Sequence, residues 1–335
     1  MKKILVTGGA GFIGSEYIDY VLKTHKESVS VLCADKLTYA GTARPEERFA
    51  KYDNFAFCKV DICDNGAIDR FFDDFKPDYV VNFAAETHVD RSISDPSPFF
   101  LTNVVGTSVL LDAAKKYKVK RFHQISTDEV YGSAPETTEY FESDKLNPSS
   151  PYSASKAAAD LAVLSYAKTF GLDVTITRSS NNYGRYQFPE KLIPVAVCSV
   201  LSGKKIPLYG KGESVRDWLY VTDNCKAIDY VLRNGESGQI YNVSGRHRLT
   251  NACVIKKIIN ILGVDDSVIT YVPDRAGADL SYDINDDKLR KAFTTPLTDF
   301  DFALFETVQW YKNNKDWWQP LFNRPCLTFV EPIHF

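Results

Sequence analysis

Short apolar runs alternate with longer amphipathic stretches through the first half of the chain. The apolar runs predict strands at Ile4 to Thr7, Ser28 to Ala34, Phe55 to Val60, Tyr79 to Phe83, Arg121 to Ser126 and Asp173 to Arg178. Two of the amphipathic stretches, Asn103 to Tyr117 and Tyr152 to Phe170, predict helices. Because near-continuous apolar strands alternate with helices, the pattern predicts an α/β fold whose doubly wound parallel sheet is covered on both faces.

The second half of the chain has a weaker pattern. After about Tyr183 the alternation fades, and prolines separate shorter elements at Pro189, Pro194, Pro207, Pro273 and Pro296. We therefore expect residues 1–185 to form the main domain and residues 186–335 a smaller, mixed α/β substrate lobe. A segment near 218–245, with a strand at Ile240 to Val243, is a candidate for return to the main sheet.

Composition narrows the class of protein. The 335 residues are 44% hydrophobic and 25% charged, which suits a soluble globular enzyme. The net charge of −3 comes from scattered residues, so no nucleic-acid partner is implied. Seven cysteines form no C-x-x-C pair and no cluster with the five histidines, which fits a reducing cytoplasm without a metal site. No apolar run reaches the roughly 18 residues of a membrane span, and none resembles a signal peptide.

The first strand runs into a glycine-rich turn. Gly8, Gly11 and Gly14 lie between this strand and a predicted helix at Ser15 to Thr24. Such glycines allow a tight turn and close approach of the backbone to a pyrophosphate, which the N-terminus of the helix attracts. The position at the first strand-to-helix junction favours a Rossmann-type dinucleotide site over a purely structural turn.

An acid ends the second strand. Asp35 lies about 20 residues after the glycine turn, where a carboxylate accepts hydrogen bonds from an adenosine ribose and repels a 2′-phosphate. NAD is therefore favoured over NADP, although the neighbouring Lys36 would soften that repulsion. Asp61 and Ile62 follow the third strand at the same sheet edge. They are candidates to border the adenine, with a helix cap as the alternative for Asp61.

A tyrosine and a lysine share one face of the helix that begins after Pro151. Tyr152 and Lys156 are four residues apart, and Gly171 marks the end of this helix. Ionising a tyrosine at neutral pH requires about 4 kcal/mol, or roughly three pKa units. A lysine cation at about 4 Å provides roughly that at an effective dielectric constant of 20. The pair therefore suits proton removal from an alcohol, whereas alone it would be typical of an ordinary helix surface.

Two acids follow the strand that ends near Thr127. Asp128 and Glu129 address one pocket only if they lie in a turn, which Val130 to Gly132 favours. Two carboxyl groups this close do not ionise independently, so one pKa should rise and leave a proton donor beside a proton acceptor. Alcohol oxidation alone does not need them. They point to elimination of water, with a solvated acidic loop as the alternative.

These residues resemble extended short-chain dehydrogenase/reductases, specifically the nucleotide-sugar 4,6-dehydratases, over nearly the whole chain. The cofactor and active-site motifs are Thr7 to Gly14, Asp35 to Gly41, Ala84 to Ser92 and Ser126 to Gly132. The substrate-lobe motifs are Asn181 to Gly184, Phe188 to Leu192 and Arg216 to Val221. The specific motif is Thr127-Asp128-Glu129, since related sugar epimerases lack the acid pair.

The resemblance implies oxidation at the sugar C4 by NAD with Tyr152, Lys156 and Thr127, then elimination by Glu129 and Asp128, and hydride return to C6. NAD would stay bound. The implied cofactor residues are Gly8, Gly11, Phe12, Ile13, Gly14, Asp35, Lys36, Leu37, Thr38, Gly41, Asp61, Ile62, Phe83, Ala84, Ala85, Thr102, Tyr152, Lys156 and Asn182. The implied nucleotide-sugar residues are Thr87, Thr127, Asn181, Lys191, Leu192, Pro207, Tyr209, Arg216 and His247. A homodimer through the helices at Asn103 to Tyr117 and Tyr152 to Phe170 is also implied.

Several positions depart from the family pattern on the nucleotide side. They are Arg185, Arg246, His247, Arg248, Ala278 and Ser281. Substrate identity is therefore less certain than reaction type: dTDP-glucose is the first expectation and a UDP-sugar the next. A nucleotide-sugar 4-epimerase and a catalytically silent NAD-binding scaffold remain as alternatives. The role of the last residues, from Leu321 to Phe335, stays open between packing on their own lobe and on a partner.

Overall fold

The computed structural model describes residues 1–134, 138–273 and 281–324. The strands are β1 (Lys2–Thr7), β2 (Val29–Asp35), β3 (Phe55–Lys59), β4 (Tyr79–Asn82), β5 (Arg121–Thr127), β6 (Val174–Ser179), β7 (Asn181–Tyr183), β8 (Ile206–Tyr209), β9 (Val215–Tyr220), β10 (Gln239–Val243), β11 (Arg248–Thr250) and β12 (Ile269–Val272). The helices are α1 (Phe12–His25), α2 (Pro45–Arg48), α3 (Asn65–Phe75), α4 (Val89–Ser94), α5 (Ser97–Phe100), α6 (Thr107–Lys116), α7 (Pro151–Phe170), α8 (Leu192–Leu201), α9 (Val221–Asn234), α10 (Asn251–Leu262), α11 (Asp287–Arg290), α12 (Phe300–Asn313) and α13 (Lys315–Phe322). Short 3₁₀ turns occupy Lys26–Ser28, Asp128–Tyr131 and Asp266–Val268, and Leu101–Gly106 is a π-helix.

Seven parallel strands form the main sheet, in the order β10-β6-β5-β4-β1-β2-β3. The order reverses between β1 and β4, and a crevice for ligands opens at such a point, beyond the carboxyl ends of the strands. The predicted doubly wound α/β fold is confirmed. The strand expected at Ile240 to Val243 pairs with β6 at the edge of this sheet.

Helices cover both faces of the main sheet. On one face, α1 and α9 bury residues such as Val21 and Ile228. On the other face, α3, α6 and α7 bury residues such as Phe72, Leu110 and Val163. This two-sided burial explains why the strands read as continuous apolar runs rather than as alternating ones.

The helix predicted at Asn103 to Tyr117 does not begin as one regular element. It opens as a π-helix, and the α-helical hydrogen bonding starts only at Thr107. The Asn103 side-chain nitrogen donates to the Glu86 backbone carbonyl (3.0 Å) and to the Ser155 hydroxyl (2.8 Å), while the Asn103 backbone carbonyl accepts from the Thr107 hydroxyl. These side-chain bonds hold the widened turn, a feature frequent at functional sites.

The small lobe consists of β7 to β9, β11, β12, α8, α10, α12 and α13. It has a three-stranded sheet, β11-β9-β7, and a two-stranded sheet, β12-β8, over a core that includes Trp318 and Tyr311. Leu321 and Phe322 are buried, and Phe322 belongs to this core. The first residues of the final segment therefore pack on the small lobe of the same chain. Residues 325–335 fall outside the described part. The expected boundary near residue 185 stays a prediction. Across the described residues, every helix is too short or too polar to cross a membrane.

Candidate functional site

A cleft of about 310 Å³ opens at the carboxyl edge of the main sheet, where the strand order reverses. The predicted residues that line it are Gly8, Gly11, Phe12, Ile13, Gly14, Asp35, Lys36, Thr38, Gly41, Asp61, Ile62, Phe83, Ala84, Ala85, Thr87, Thr102, Thr127, Asp128, Glu129, Tyr152, Lys156, Asn181, Asn182 and Lys191. The fold therefore brings the glycine turn, the tyrosine and lysine, and the acid pair into one cavity.

The glycine turn after β1 has no room for side chains. Gly8 has a φ of +69°, and a Cβ there would lie 2.5 Å from the Ala84 nitrogen. A Cβ on Gly14 would lie 2.5 Å from the Gly8 carbonyl oxygen. The backbone of β1 thus passes directly over the start of α1. This bare cradle at a helix N-terminus fits the pyrophosphate of a dinucleotide.

Asp35 is held by the backbone at the end of β2. Its Oδ2 accepts from the Ala10 N–H (2.9 Å) and its Oδ1 from the Leu37 N–H (2.7 Å). Burial raises the pKa of the carboxyl group, and the two backbone donors oppose that shift. Each oxygen keeps a lone pair for a ribose hydroxyl in a fixed direction. The residue therefore fits the predicted contact with adenosine.

Lys36 does not accompany Asp35. Its ammonium pairs with the Asp61 carboxylate at 2.6 Å, which largely neutralises the positive charge. Lys36 therefore does little to weaken the repulsion between Asp35 and a 2′-phosphate. The cap of α3 is Asp64, which accepts from the Ala67 N–H. Asp61 is therefore not that helix cap, and it stands at the cleft wall as predicted. Both findings favour NAD over NADP.

Tyr152 and Lys156 lie in the first turns of α7. Ser150 caps this helix through a reciprocal pair of bonds with Ser153, and the predicted stop at Gly171 is present in a left-handed conformation. Both side chains are buried, with 8% of Tyr152 and 5% of Lys156 exposed. The Lys156 ammonium donates to the Ile125 carbonyl at 2.6 Å, which ties α7 to the end of β5.

The electrostatics of this pair differ from the expectation. Burial, then Glu129 and Asp128, raise the pKa of Tyr152 far above its usual range, and hydrogen bonding with Thr127 opposes the rise. Burial lowers the pKa of Lys156 to about 8. The prediction that one lysine cation suffices to ionise the phenol is wrong for the protein alone. The reasons are the desolvation of both groups and the two carboxyl groups facing Tyr152.

The acid pair lies in the 3₁₀ turn Asp128–Tyr131 that follows β5, as the sequence suggested. The Thr127 hydroxyl donates to Asp128 Oδ1 (3.1 Å) and accepts from the Glu129 N–H (3.3 Å). Asp128 is buried, and its Oδ2 has no hydrogen-bond partner among the described residues. Burial, then Glu129 and Asp217, raise its pKa well above the usual range. Asp128 is thus suited to be a protonated donor beside the carboxyl group of Glu129.

A buried ion pair behind the site was not predicted. Asp160 Oδ2 accepts from the Ser126 hydroxyl (3.0 Å) and from Arg178 Nε (2.9 Å), and Arg178 donates to the Tyr131 hydroxyl. Asp160 follows Lys156 by one helical turn, a spacing that could have revealed it. Further lining residues, to which the sequence analysis gave no site role although several lie within its motifs, are Ala34, Ala40, Val60, Glu86, Ile125, Ser126, Ser179, Ser180, Gln187, Phe188 and Glu190.

Some predicted residues do not line the cleft. These are Leu37, Leu192, Pro207, Tyr209, Arg216 and His247. Leu37 contributes only its N–H to Asp35, and the others follow the chain into the small lobe. The Arg216 guanidinium lies 4.8 Å from the Tyr282 ring centroid, and its charge acts to lower the pKa of Asp128. His247 packs on Phe300.

The arginines that depart from the family pattern form ion pairs with nearby acids. Arg185 bonds to Glu16 and Asp19 on α1 and does not line the cleft. Arg246 pairs with two consecutive acids, Asp286 and Asp287, and Arg248 with Asp283. The Ser281 carbonyl accepts from the Ala134 N–H. Ala278 lies outside the described residues.

Comparisons with known proteins agree with this geometry. The model of the NAD dependent epimerase/dehydratase family matches residues 4–244. The dTDP-glucose 4,6-dehydratase of Streptomyces niveus is 44% identical over 323 residues, 95% of each chain. The Bacillus anthracis dTDP-glucose 4,6-dehydratase, solved in complex with NAD, is 46% identical with a TM-score of 0.89 over 96% of this chain and all of that one. The Streptomyces venezuelae dTDP-glucose 4,6-dehydratase, solved with NAD bound, is 43% identical with a TM-score of 0.91, over 95% of this chain and 99% of that one. The chain belongs to the NAD dependent epimerase/dehydratase family.

Proposed function

We propose that this protein is an NAD-dependent lyase that dehydrates a nucleotide-diphosphate hexose, dTDP-glucose in the first place, to the 4-keto-6-deoxy sugar. The observation that carries the proposal is the placement of Asp128 and Glu129 in the same cleft as Tyr152 and Lys156. An alcohol dehydrogenation needs only the second pair. The extra donor and acceptor support elimination, and the relatives named dTDP-glucose 4,6-dehydratase support the substrate.

The first step is oxidation of the sugar at C4. Tyr152 accepts the proton of the 4-hydroxyl, and the Thr127 hydroxyl orients that phenol. The oxidised nicotinamide, when bound, contributes a hydride acceptor for C4, a positive charge that favours the phenolate, and later the hydride returned to C6. The Lys156 ammonium, held against the Ile125 carbonyl, adds its positive charge to the same cleft.

The second step is loss of water across C5 and C6. The C4 ketone acidifies the C5 hydrogen, and the Glu129 carboxylate accepts that proton. Asp128 gives its proton to the departing 6-hydroxyl, a role that its burial and raised pKa support. After hydride reaches C6, Glu129 returns its proton to C5, and the proton that Tyr152 took from the 4-hydroxyl balances the one that Asp128 gave to the leaving water. NAD is restored within each turnover, so the cofactor is expected to stay bound.

A mass measurement tests the assignment. The protein is incubated with dTDP-glucose and, separately, with UDP-glucose, and the products are analysed by mass spectrometry. Loss of one water from dTDP-glucose is the expected result, and loss from UDP-glucose alone would reassign the nucleotide. Unchanged mass with altered stereochemistry would indicate an epimerase. An absence of conversion across a nucleotide-sugar panel would refute the enzyme assignment in favour of an NAD-binding scaffold.

We also propose that the protein is a homodimer through the π-helix, α6 and α7. Leu101, Val105 and Leu161 are 52%, 48% and 59% exposed on these adjacent helices, an apolar surface that suits a helical interface. Leu161→Glu should give a monomer by light scattering. Phe302→Glu, at a residue equally exposed on α12, is the matched control and should leave the dimer intact. A monomeric wild-type protein would contradict the proposal.

The expected cytoplasmic location remains a proposal as well. Six cysteines of the described residues are free thiols, which suits a reducing compartment. Fractionation of cells that express the tagged protein tests it, and recovery outside the cytosolic fraction would contradict it.

A further inference from the structure

The segment after β2 covers one end of the cleft. This cover segment, residues 36–48, contributes Lys36, Thr38 and Gly41 to the lining and ends in the short helix α2. Two of its residues, Leu37 and Arg44, have positive φ angles (57° and 46°), a conformation that side-chain-bearing residues rarely adopt. Such a backbone persists only where its surroundings hold it in place.

An ion cluster on α1 joins this segment to the beginning of the small lobe. Arg48, the last residue of the cover segment, donates to the Ser15 hydroxyl and to Glu16 Oε1. Arg185 donates to Glu16 Oε2 (2.8 Å) and to Asp19 Oδ2 (2.8 Å). Glu16 is only 3% exposed, and each of its oxygens is taken by one of the two guanidinium groups. Two distant parts of the chain therefore share one buried carboxylate.

The residue after Arg185 holds Arg48 from its other side. The Arg48 guanidinium lies 4.0 Å from the Tyr186 ring centroid, within cation–π range. Tyr186 in turn packs on Trp310 and Trp317 (4.6 and 5.4 Å between centroids). The Trp317 indole donates to the Thr42 carbonyl of the cover segment. Arg48, at the end of the cover segment, thus lies between the Tyr186 ring and the Glu16 carboxylate, whose other oxygen is bound by Arg185.

We propose that Arg185 is a positioning residue that fastens the cover segment over the bound dinucleotide and slows the release of NAD. The inference rests on the proposed function, which requires NAD to remain bound between turnovers. Without Arg185 the local charges still balance, because Glu16 keeps Arg48 and Asp19 keeps Lys23 at 2.7 Å. Loss of the Arg185 guanidinium therefore removes one of the two bonds that hold the Glu16 carboxylate in position for Arg48, without leaving an unpaired buried charge.

Arg185→Gln is the main variant, and the intact wild-type protein is the reference. NAD content is measured after purification by acid release and chromatography. The release rate is measured by chasing bound NAD with excess fluorescent etheno-NAD. Release should be about tenfold faster in Arg185→Gln, the size expected for one half-buried charge-assisted contact that acts on dissociation. Arg185→Lys should lie between the two, because an ammonium pairs with one of the carboxylates at a time.

Two further variants separate positioning from stability. Arg233→Met removes another arginine–aspartate pair, on α9, and should leave the release rate unchanged. Arg48→Lys weakens the contacts of the cover segment with Glu16 and Tyr186, and it should speed the release of NAD as Arg185→Gln does. Folded Arg185→Gln with wild-type release would overturn the inference, as would equal acceleration in Arg233→Met. A wild-type protein that binds no NAD would instead refute the proposed function itself.

Discussion

The two halves of the cleft differ in how directly the sequence leads to them. In the cofactor half, every predicted residue except Leu37 lines the cavity. In the sugar half, Thr87, Asn181 and Lys191 line it, while predicted residues from Leu192 onward do not. The first half is built from the ends of neighbouring parallel strands, so a local motif also fixes its place in space. The second half is built where the chain crosses to a separate lobe, so a local motif does not.

The largest expected effect separates the chemistry of the sugar half from cofactor binding. Glu129→Gln removes the acceptor for the C5 proton but keeps the size of the side chain. We expect kcat for dehydration to fall by about a thousandfold, in the middle of the range for one acid–base group. Bound NAD should stay at the wild-type level, because Glu129 contributes no part of the glycine cradle. Product mass and acid-released NAD are the two measurements.

Glu142→Gln, at a carboxylate that accepts from the Asn242 N–H away from the cleft, is the control for this variant. It should retain wild-type turnover. If Glu129→Gln dehydrated the substrate at the wild-type rate, the acid pair would have no role in elimination. If it lost NAD as well, elimination and cofactor binding would not be separate functions of the two halves of the cleft.

The glycine cradle allows the opposite test. A Cβ on Gly14 would lie 2.5 Å from the Gly8 carbonyl oxygen, a backbone atom that has little freedom to move. Gly14→Ala should therefore weaken NAD binding by roughly 10- to 100-fold, the size of a local backbone clash. Gly66→Ala in α3, where the nearest atom to the new Cβ is 3.6 Å away, is the control. Equal NAD affinity in both variants, by fluorescence titration, would refute the assignment of the cradle.

The same contrast explains which predictions succeeded. The strands, the end of α7 at Gly171 and the turn at Asp128 are set by short-range rules, and the structure agrees with them. The pKa of Tyr152 and the pairing of Lys36 with Asp61 depend on burial and on neighbours distant in sequence. The four-residue spacing of Tyr152 and Lys156 gives no information on how far the two side chains are desolvated. The ion cluster of Glu16, Arg48 and Arg185 likewise joins three segments that share no motif.

Lys156 lies at the junction of the two halves and links site electrostatics to stability. Its pKa is about 8 in the folded protein against an ordinary 10.5, because burial disfavours its charge. Below pH 8 this costs the fold about 3 kcal/mol, and the cost disappears as the pH rises toward 10.5. Lys156→Met also loses the bond to the Ile125 carbonyl, so the net gain at pH 7 should be about 2 kcal/mol. Urea unfolding from pH 7 to 10 measures it.

Lys168→Met, on the same helix, should show no such pH dependence, since that lysine is in the exposed last turn of α7. An advantage of Lys156→Met that grew with pH would have the wrong sign and would refute the desolvation argument. A constant advantage from pH 7 to 10 would show that repacking, rather than the lost charge, stabilises the variant.

The smallest expected effect concerns Arg216, which lies outside the cleft lining. The variant tests whether the sugar half of the site extends beyond the cleft. Arg216 is close enough to influence Asp128, and a guanidinium suits the diphosphate of a nucleotide-sugar. Arg216→Gln should raise KM for the substrate by about tenfold, as expected for loss of one charged contact to phosphate. Because loss of this cation leaves Asp128 protonated, kcat should change little, and NAD release should not change. Arg246→Gln, at an arginine paired with Asp286 and Asp287, should leave KM unaltered. If Arg216→Gln had a wild-type KM, the nucleotide would be held within the enclosed cleft alone, and the motif around Arg216 would serve only the packing of the small lobe.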